Sequence, residues 1–248
     1  MIWPVVLLLI IAPFIGSFAG VLVLRLPAGR PVLAGRSACD YCGATLRPAD
    51  LVPLVSWLWL RGRCRYCRAE LGYFFPLVEI AAMFVVAWAA TAVSGWLLAA
   101  TCVFGWLLLT LALIDWRTYL LPDPLNALLA LSGLVAAYFF DRAFLLEHAI
   151  ALVAGFAVFA AFGWLYKRLR GRDGLGLGDA KLLGALGAWT SLQGLTSVVL
   201  FAAVIGLVTV IALSFRRRPL SAFDRVPLGT FLALAGWLVW LYGPVVLG

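Results

Sequence analysis

The sequence predicts an all-α polytopic membrane helix bundle of about eight transmembrane segments, with a cytoplasmic zinc-knuckle loop after the first helix. Three observations predict it. The chain is 65% hydrophobic and 12% charged over 248 residues, which excludes a water-soluble domain. Its apolar runs recur at lengths near the roughly 20 residues a helix needs to cross a bilayer, and they do not alternate as barrel strands would. Its basic residues gather in a few loops, so the net charge of +8 reports membrane orientation before it reports any anionic partner. The expected partner surface is therefore the lipid bilayer, with no nucleic acid.

The first helix covers 1–24. A cleaved signal peptide would carry basic residues before its apolar core and a small-x-small site after it. Here Met1-Ile2-Trp3-Pro4 has no basic side chain, and Arg25 and Arg30 follow the core. A retained helix with its N-terminus outside is expected. Residues 25–75 are the one sizeable polar segment. Its eight arginines (Arg25, Arg30, Arg36, Arg47, Arg61, Arg63, Arg65 and Arg68) put it in the cytoplasm. It carries Cys39-Asp-Tyr-Cys42 and Cys64-Arg-Tyr-Cys67, with 21 residues between the pairs. Two C-x-x-C knuckles at this spacing predict a tetrahedral Zn2+ site, since four thiolates fill the coordination shell. Two disulfides are the alternative, which a reducing compartment disfavours. A closed four-sulfur site leaves no position for substrate, so this metal is expected to be structural.

Residues 76–248 form the transmembrane core. Pro76 to Val93 is the second helix, with Glu79 near its start. Trp96 to Ile114 is the third, closed by Asp115; Cys102 within it reads as a small buried hydrophobe. The prolines of Leu120-Leu121-Pro122-Asp123-Pro124 make a tight connection to a fourth helix, Leu125 to Phe140. The outer loop with Asp141, Arg142, Glu147 and His148 leads to a fifth, Ala149 to Tyr166. His148 is expected at the interface and not as a ligand. After Lys167, Arg168, Arg170 and Arg172 comes a short apolar run, Leu182 to Trp189, interrupted by Thr190-Ser191-Leu192-Gln193-Gly194. Leu195 to Phe215 is full length, Arg216-Arg217-Arg218 returns inside, and Val226 to Leu247 is the last helix. An even number of crossings must separate two inside loops, so the short run is half of a hairpin. At 11 residues from Asp179 it spans only about 16 Å, and so either extends through the interruption or lines a cavity. With both ends outside, 18 of the 19 Lys and Arg fall on one side, leaving only Arg142 opposite.

Ionisable groups in such segments are costly and functional by default. Asp115 closes a helix running inward and Asp179 opens one running outward, so both lie at the cytoplasmic edge and can face one another. Two carboxylates sharing a site cannot easily both ionise. The ionised member can activate water while the protonated one polarises a peptide carbonyl, the minimum chemistry of an aspartic protease. Gly176 and Gly178 beside Asp179 leave room for an extended substrate backbone. Asp179 at a helix N-terminus is favoured as carboxylate, and Asp115 at a C-terminus is expected to hold the shared proton more often. Glu79, Asp123 and Lys181 are candidates for supporting the pair. The competing reading has each aspartate merely capping a helix, as in a non-catalytic, zinc-clamped assembly protein; an inverted-repeat transporter is weakened by the lack of a convincing internal repeat.

These residues resemble the prepilin peptidase, or type IV leader peptidase, family. The resemblance covers almost the whole chain. It rests on Gly16-Ser17-Phe18, Arg25-Leu26-Pro27, both cysteine pairs and Pro76-Leu77-Val78-Glu79, on Asp115 with Leu121-Pro122-Asp123, on Gly176-Leu177-Gly178-Asp179 with Lys181, and on Val226-Pro227-Leu228-Gly229. The G-x-G-D element alone is shared with other intramembrane proteases, which act on other substrate classes. Ala19-Gly20 departs from the asparagine common after the Gly-Ser-Phe element. The resemblance implies a bacterial inner-membrane enzyme that cleaves prepilins and pseudopilins on the cytoplasmic side, after a glycine ending a short basic leader. It further implies N-methylation of the new N-terminus from S-adenosylmethionine, associated with the cysteine-bearing segment; no residues here mark a binding site for that donor.

Overall fold

The computed structural model describes residues 3–32, 36–171, 174–216 and 226–245. Arg172, Arg217, Arg218 and Arg225, which entered the charge tally, and the expected helix end at Leu247 lie outside the described residues. Among the described residues eight α-helices follow in order: α1 (Trp3–Arg25), α2 (Val55–Trp59), α3 (Phe74–Ala92), α4 (Trp96–Thr118), α5 (Asp123–Phe140), α6 (Leu145–Arg170), α7 (Leu177–Arg216) and α8 (Leu228–Tyr242). The described residues form no strand, only two isolated bridges in the cysteine loop. Six of the helices (α1, α3, α4, α5, α6 and α7) are long and apolar enough to cross a membrane. The chain divides into two compact units, 1–102 and 103–248.

In the first unit α1 packs on α3 through small residues. Ala12, Gly16, Ala19 and Gly20 are buried, while Leu7, Ile10, Phe14 and Phe18 on the other side are exposed, as lipid contact requires. Small residues let membrane helices approach closely. At Gly16 a Cβ would stand 2.7 Å from the Glu79 Cα, so the two backbones touch there.

The second unit is built around α7, which breaks at Ser191 (φ 59°, ψ −175°). Contacts with α8 show that the chain reverses at this point. Before the break, Leu186 meets Gly236 and Trp189 meets Trp240, in the same order as α8 runs. After it the order inverts: Ser197 Oγ accepts the Val245 N–H at 3.0 Å, and Gly206 meets Phe231. Residues 177–190 and 192–216 are thus the two arms of the expected hairpin, and the polar Thr190–Gly194 stretch is its turn.

The first arm is the centre of the unit, and every residue from Leu182 to Trp189 is buried. α5 contributes Gly133 against Trp189, α6 contributes Gly155 against Gly184 and Ala151 against Gly187, and Phe104 of α4 stacks on Trp189 at 4.5 Å. The Trp189 indole N–H donates to Leu129 O at 2.9 Å. Its burial on all sides encloses this arm in protein, so it need not match the bilayer thickness.

Boundaries differ from expectation in identifiable ways. α4 runs on through Thr118, placing Asp115 in its last turn. α8 is only 15 residues, starting after Pro227 and stopping at Gly243, which has φ 85°. His148, expected at the interface, is buried against protein there, with Nδ1 3.0 Å from Ala188 O and Nε2 3.3 Å from Asp141 Oδ2. The ring donates to the Ala188 carbonyl three residues before the break at Ser191.

Candidate active site

Asp115 is buried at the end of α4, and α8 supplies its partners. Its Oδ2 accepts the Thr230 backbone N–H at 2.7 Å and lies 3.1 Å from Thr230 Oγ1, which is also 3.1 Å from Ala112 O. Thr230 sits in the first turn of α8, where backbone N–H groups have no intrahelical acceptor, so Asp115 caps that helix from another element. Gly229 is required beside it, since a Cβ would lie 3.1 Å from the Asp115 carboxylate and 2.8 Å from Leu121. The C-terminal position of Asp115 in α4 is offset by the N-terminus of α8, so both carboxylates stand at helix N-termini and helix polarity does not separate their roles.

Asp179 lies in the first turn of α7, half-buried. The Gly176 N–H donates to its carboxylate, and a Cβ on Gly176 would come within 3.0 Å of Oδ2. Its own N–H donates to Gly176 O at 3.1 Å. Gly178, next along, packs on the Leu121 side chain, where a Cβ would meet it at 3.0 Å. Leu121 therefore wedges between Gly178, beside Asp179, and Gly229, beside Asp115. The two carboxylates lie within Coulombic range of each other.

The supporting candidates are distributed differently. Lys181 Nζ pairs with Asp123 Oδ1 at 2.6 Å, tying the start of α5 to α7. They line a groove of about 290 Å³ with Asn126, Leu152 and Phe156, and neither Asp115 nor Asp179 lines it. Glu79 belongs to the first unit, where it is buried and accepts the Leu54 N–H at 2.8 Å and a bond from Ser17. Thr230 was not among the expected residues, and its only signal was adjacency to Val226-Pro227-Leu228-Gly229.

The four cysteines come together in the first unit. Their sulfurs all lie within 4.8 Å of one another, and Cys39 Sγ is 3.8 Å from Cys67 Sγ. Thiolates bound about 2.3 Å from a tetrahedral zinc stand about 3.8 Å apart, so the cluster fits a metal. The knuckles match: Cys39 and Cys64 donate backbone N–H bonds to Ala44 O and Ala69 O, and Gly43 (φ 69°) and Arg68 (φ 61°) take the same left-handed turn after the second cysteine. The Cys64 thiol is pulled down to about 7 by the N–H groups of Cys67 and Tyr66, and the thiolate is the metal-binding form. The described cysteines are all free thiols.

A membrane helix bundle that brings two carboxylates within Coulombic range and clusters four thiols has the parts of a membrane-embedded aspartic peptidase. Comparison with known proteins agrees. The model of the bacterial peptidase A24 N-terminal domain matches residues 10–93, and that of the type IV leader peptidase family matches 102–211. A prepilin leader peptidase/N-methyltransferase of Aeromonas hydrophila is 36% identical over 213 residues, covering 86% of this chain and 73% of the relative. Proteins of the same name are similar in Burkholderia pseudomallei (40% over 220 residues; 88% and 71% covered) and in Dickeya chrysanthemi (35% over 260 residues; 95% and 91%). This chain belongs to the type IV leader peptidase family. No solved structure matches it.

Proposed function

We propose that this chain removes the leader from type IV prepilins or pseudopilins, with Asp115 and Asp179 as the reacting carboxylates, and then N-methylates the new N-terminus. The observation that carries the reading is the pair itself: two carboxylates on separate helices, within Coulombic range, with Leu121 seated between the glycines beside them. One ionised carboxylate takes a proton from a water that attacks the scissile carbonyl, while the protonated one donates to the carbonyl oxygen. The tetrahedral intermediate collapses with proton transfer to the departing amine. Gly176 leaves room for the substrate backbone, Gly178 seats Leu121 beside the pair, the Asp123–Lys181 pair fixes α5 against α7, and Glu79 anchors the cysteine loop.

The pair and the cysteine loop face the cytoplasm of the bacterial inner membrane in this reading, supported by the basic loops that join the helices. Cys39, Cys42, Cys64 and Cys67 hold structural zinc, which fixes the loop and takes no part in hydrolysis. Methylation draws on S-adenosylmethionine, and the names of the relatives support it. The test is mass spectrometry of a co-expressed prepilin. A product starting after the leader glycine and carrying one N-terminal methyl group is expected; an intact precursor beside correctly inserted enzyme would overturn the reading.

A further inference from the structure

The segment between α1 and α3 has a feature that neither hydrolysis nor metal binding uses. α2 exposes Val55, Leu58 and Trp59, at 59%, 66% and 81%. Spaced i, i+3 and i+4, they share one face of the helix. The opposite side is engaged: the Trp57 indole N–H donates to Gly72 O at 2.9 Å and its ring meets Tyr73 at 5.2 Å. Arg61 and Arg63 follow directly, with a left-handed turn at Arg61 (φ 52°).

The depth of this face can be read from its anchor. Leu54, which opens α2, is strained (φ 59°) and held by its N–H bond to Glu79, itself bonded to Ser17. Glu79 lies five residues into α3, or roughly 8 Å along its axis. Ser17 lies eight residues from the end of α1, roughly 12 Å. α2 is therefore drawn back alongside the two spans, roughly 8 to 12 Å inside their loop ends, a position that fits a helix burying its apolar face about 5–10 Å into the membrane boundary. Both ends of the segment are tied to spans, so the bilayer is the surface beside it.

We propose that α2 is an interfacial membrane anchor, with Val55, Leu58 and Trp59 in the boundary between acyl chains and headgroups, and Arg61 and Arg63 on the phosphates of anionic lipids. Tryptophan favours this boundary and arginine reaches out of it to the headgroups. The metal-binding loop is thus held flat against the membrane, independently of which face it occupies and of the reaction proposed above.

The test uses the full chain in nanodiscs of equal parts phosphatidylglycerol and phosphatidylcholine. Subtracting the fluorescence of Trp59→Phe from that of the wild type isolates Trp59, and Trp57→Phe serves as the inward-facing comparison. Lipids brominated near the headgroup end of the acyl chain should quench the Trp59 component at least about twofold, with acrylamide having little effect. Arg61→Ser with Arg63→Ser should weaken that quenching in anionic discs and leave it unchanged in pure phosphatidylcholine. Quenching of Trp59 by acrylamide alone would place the face in water and overturn the proposal. Resistance to both quenchers would mean that protein, a second copy or another segment, covers the face, and would overturn it equally.

Discussion

Single atoms set the geometry of the carboxylate pair. Asp115 is placed by Thr230, and the space around it exists because position 229 has no Cβ. Gly229→Ala puts a methyl group 3.1 Å from the carboxylate and against Leu121, so the side chain must turn. A misplacement of this kind reduces kcat by about 10- to 100-fold with the fold retained, measurable as single-turnover cleavage of a precursor peptide at saturating substrate. Thr230 shows why part of the site was not legible in sequence. A threonine in an apolar helix is usually unremarkable, and its partner lies 115 residues away. Asp115 and Asp179 were legible because lipid makes a carboxylate expensive wherever it occurs.

Among the elements, the break in α7 and the cysteine loop carry the information. Ser191 holds a conformation essentially reserved for glycine. Ser191→Gly should relieve it and raise stability by about 1 kcal/mol, read from thermal unfolding in detergent. The hairpin could be inferred from crossing parity and the Thr190–Gly194 interruption. The burial of its first arm could not, because an apolar run reads the same facing lipid or protein. In the loop, Cys64→Ser removes one of four ligands and should release bound zinc, seen as metal content falling from one equivalent towards none, while loop protease sensitivity rises. Asp50 adds a pH dependence. Burial pushes its carboxyl up, but the Arg65 guanidinium at 2.7 Å and the Arg47 N–H at 3.2 Å outweigh that and hold it below the ordinary value. Its stabilising contribution is complete above about pH 4 and is lost as pH falls through the lowered value. Protease resistance of the loop should fall over that acid range in the wild type, and the step should be absent in Asp50→Asn.

Across the whole molecule, hydropathy foretold the helices because a bilayer permits few alternatives. Short loops and uninterrupted runs carried most of the architecture. Helix ends moved by several residues where local chemistry intervened, as at Gly243 and in the continuation of α4 to Thr118. The burial of His148 was not legible because its partner, the Ala188 carbonyl, lies 40 residues away. The central claim is that Asp115 and Asp179 act as one unit. The direct measurement is cleavage of a co-expressed prepilin by Asp115→Asn, Asp179→Asn and the double variant, each checked for membrane insertion and zinc content. Each single variant should lose cleavage by at least about a thousandfold, and the double variant should lose no more than either, as residues of one catalytic unit do. Substantial cleavage by either single variant, in enzyme that is inserted and metal-loaded, would contradict it.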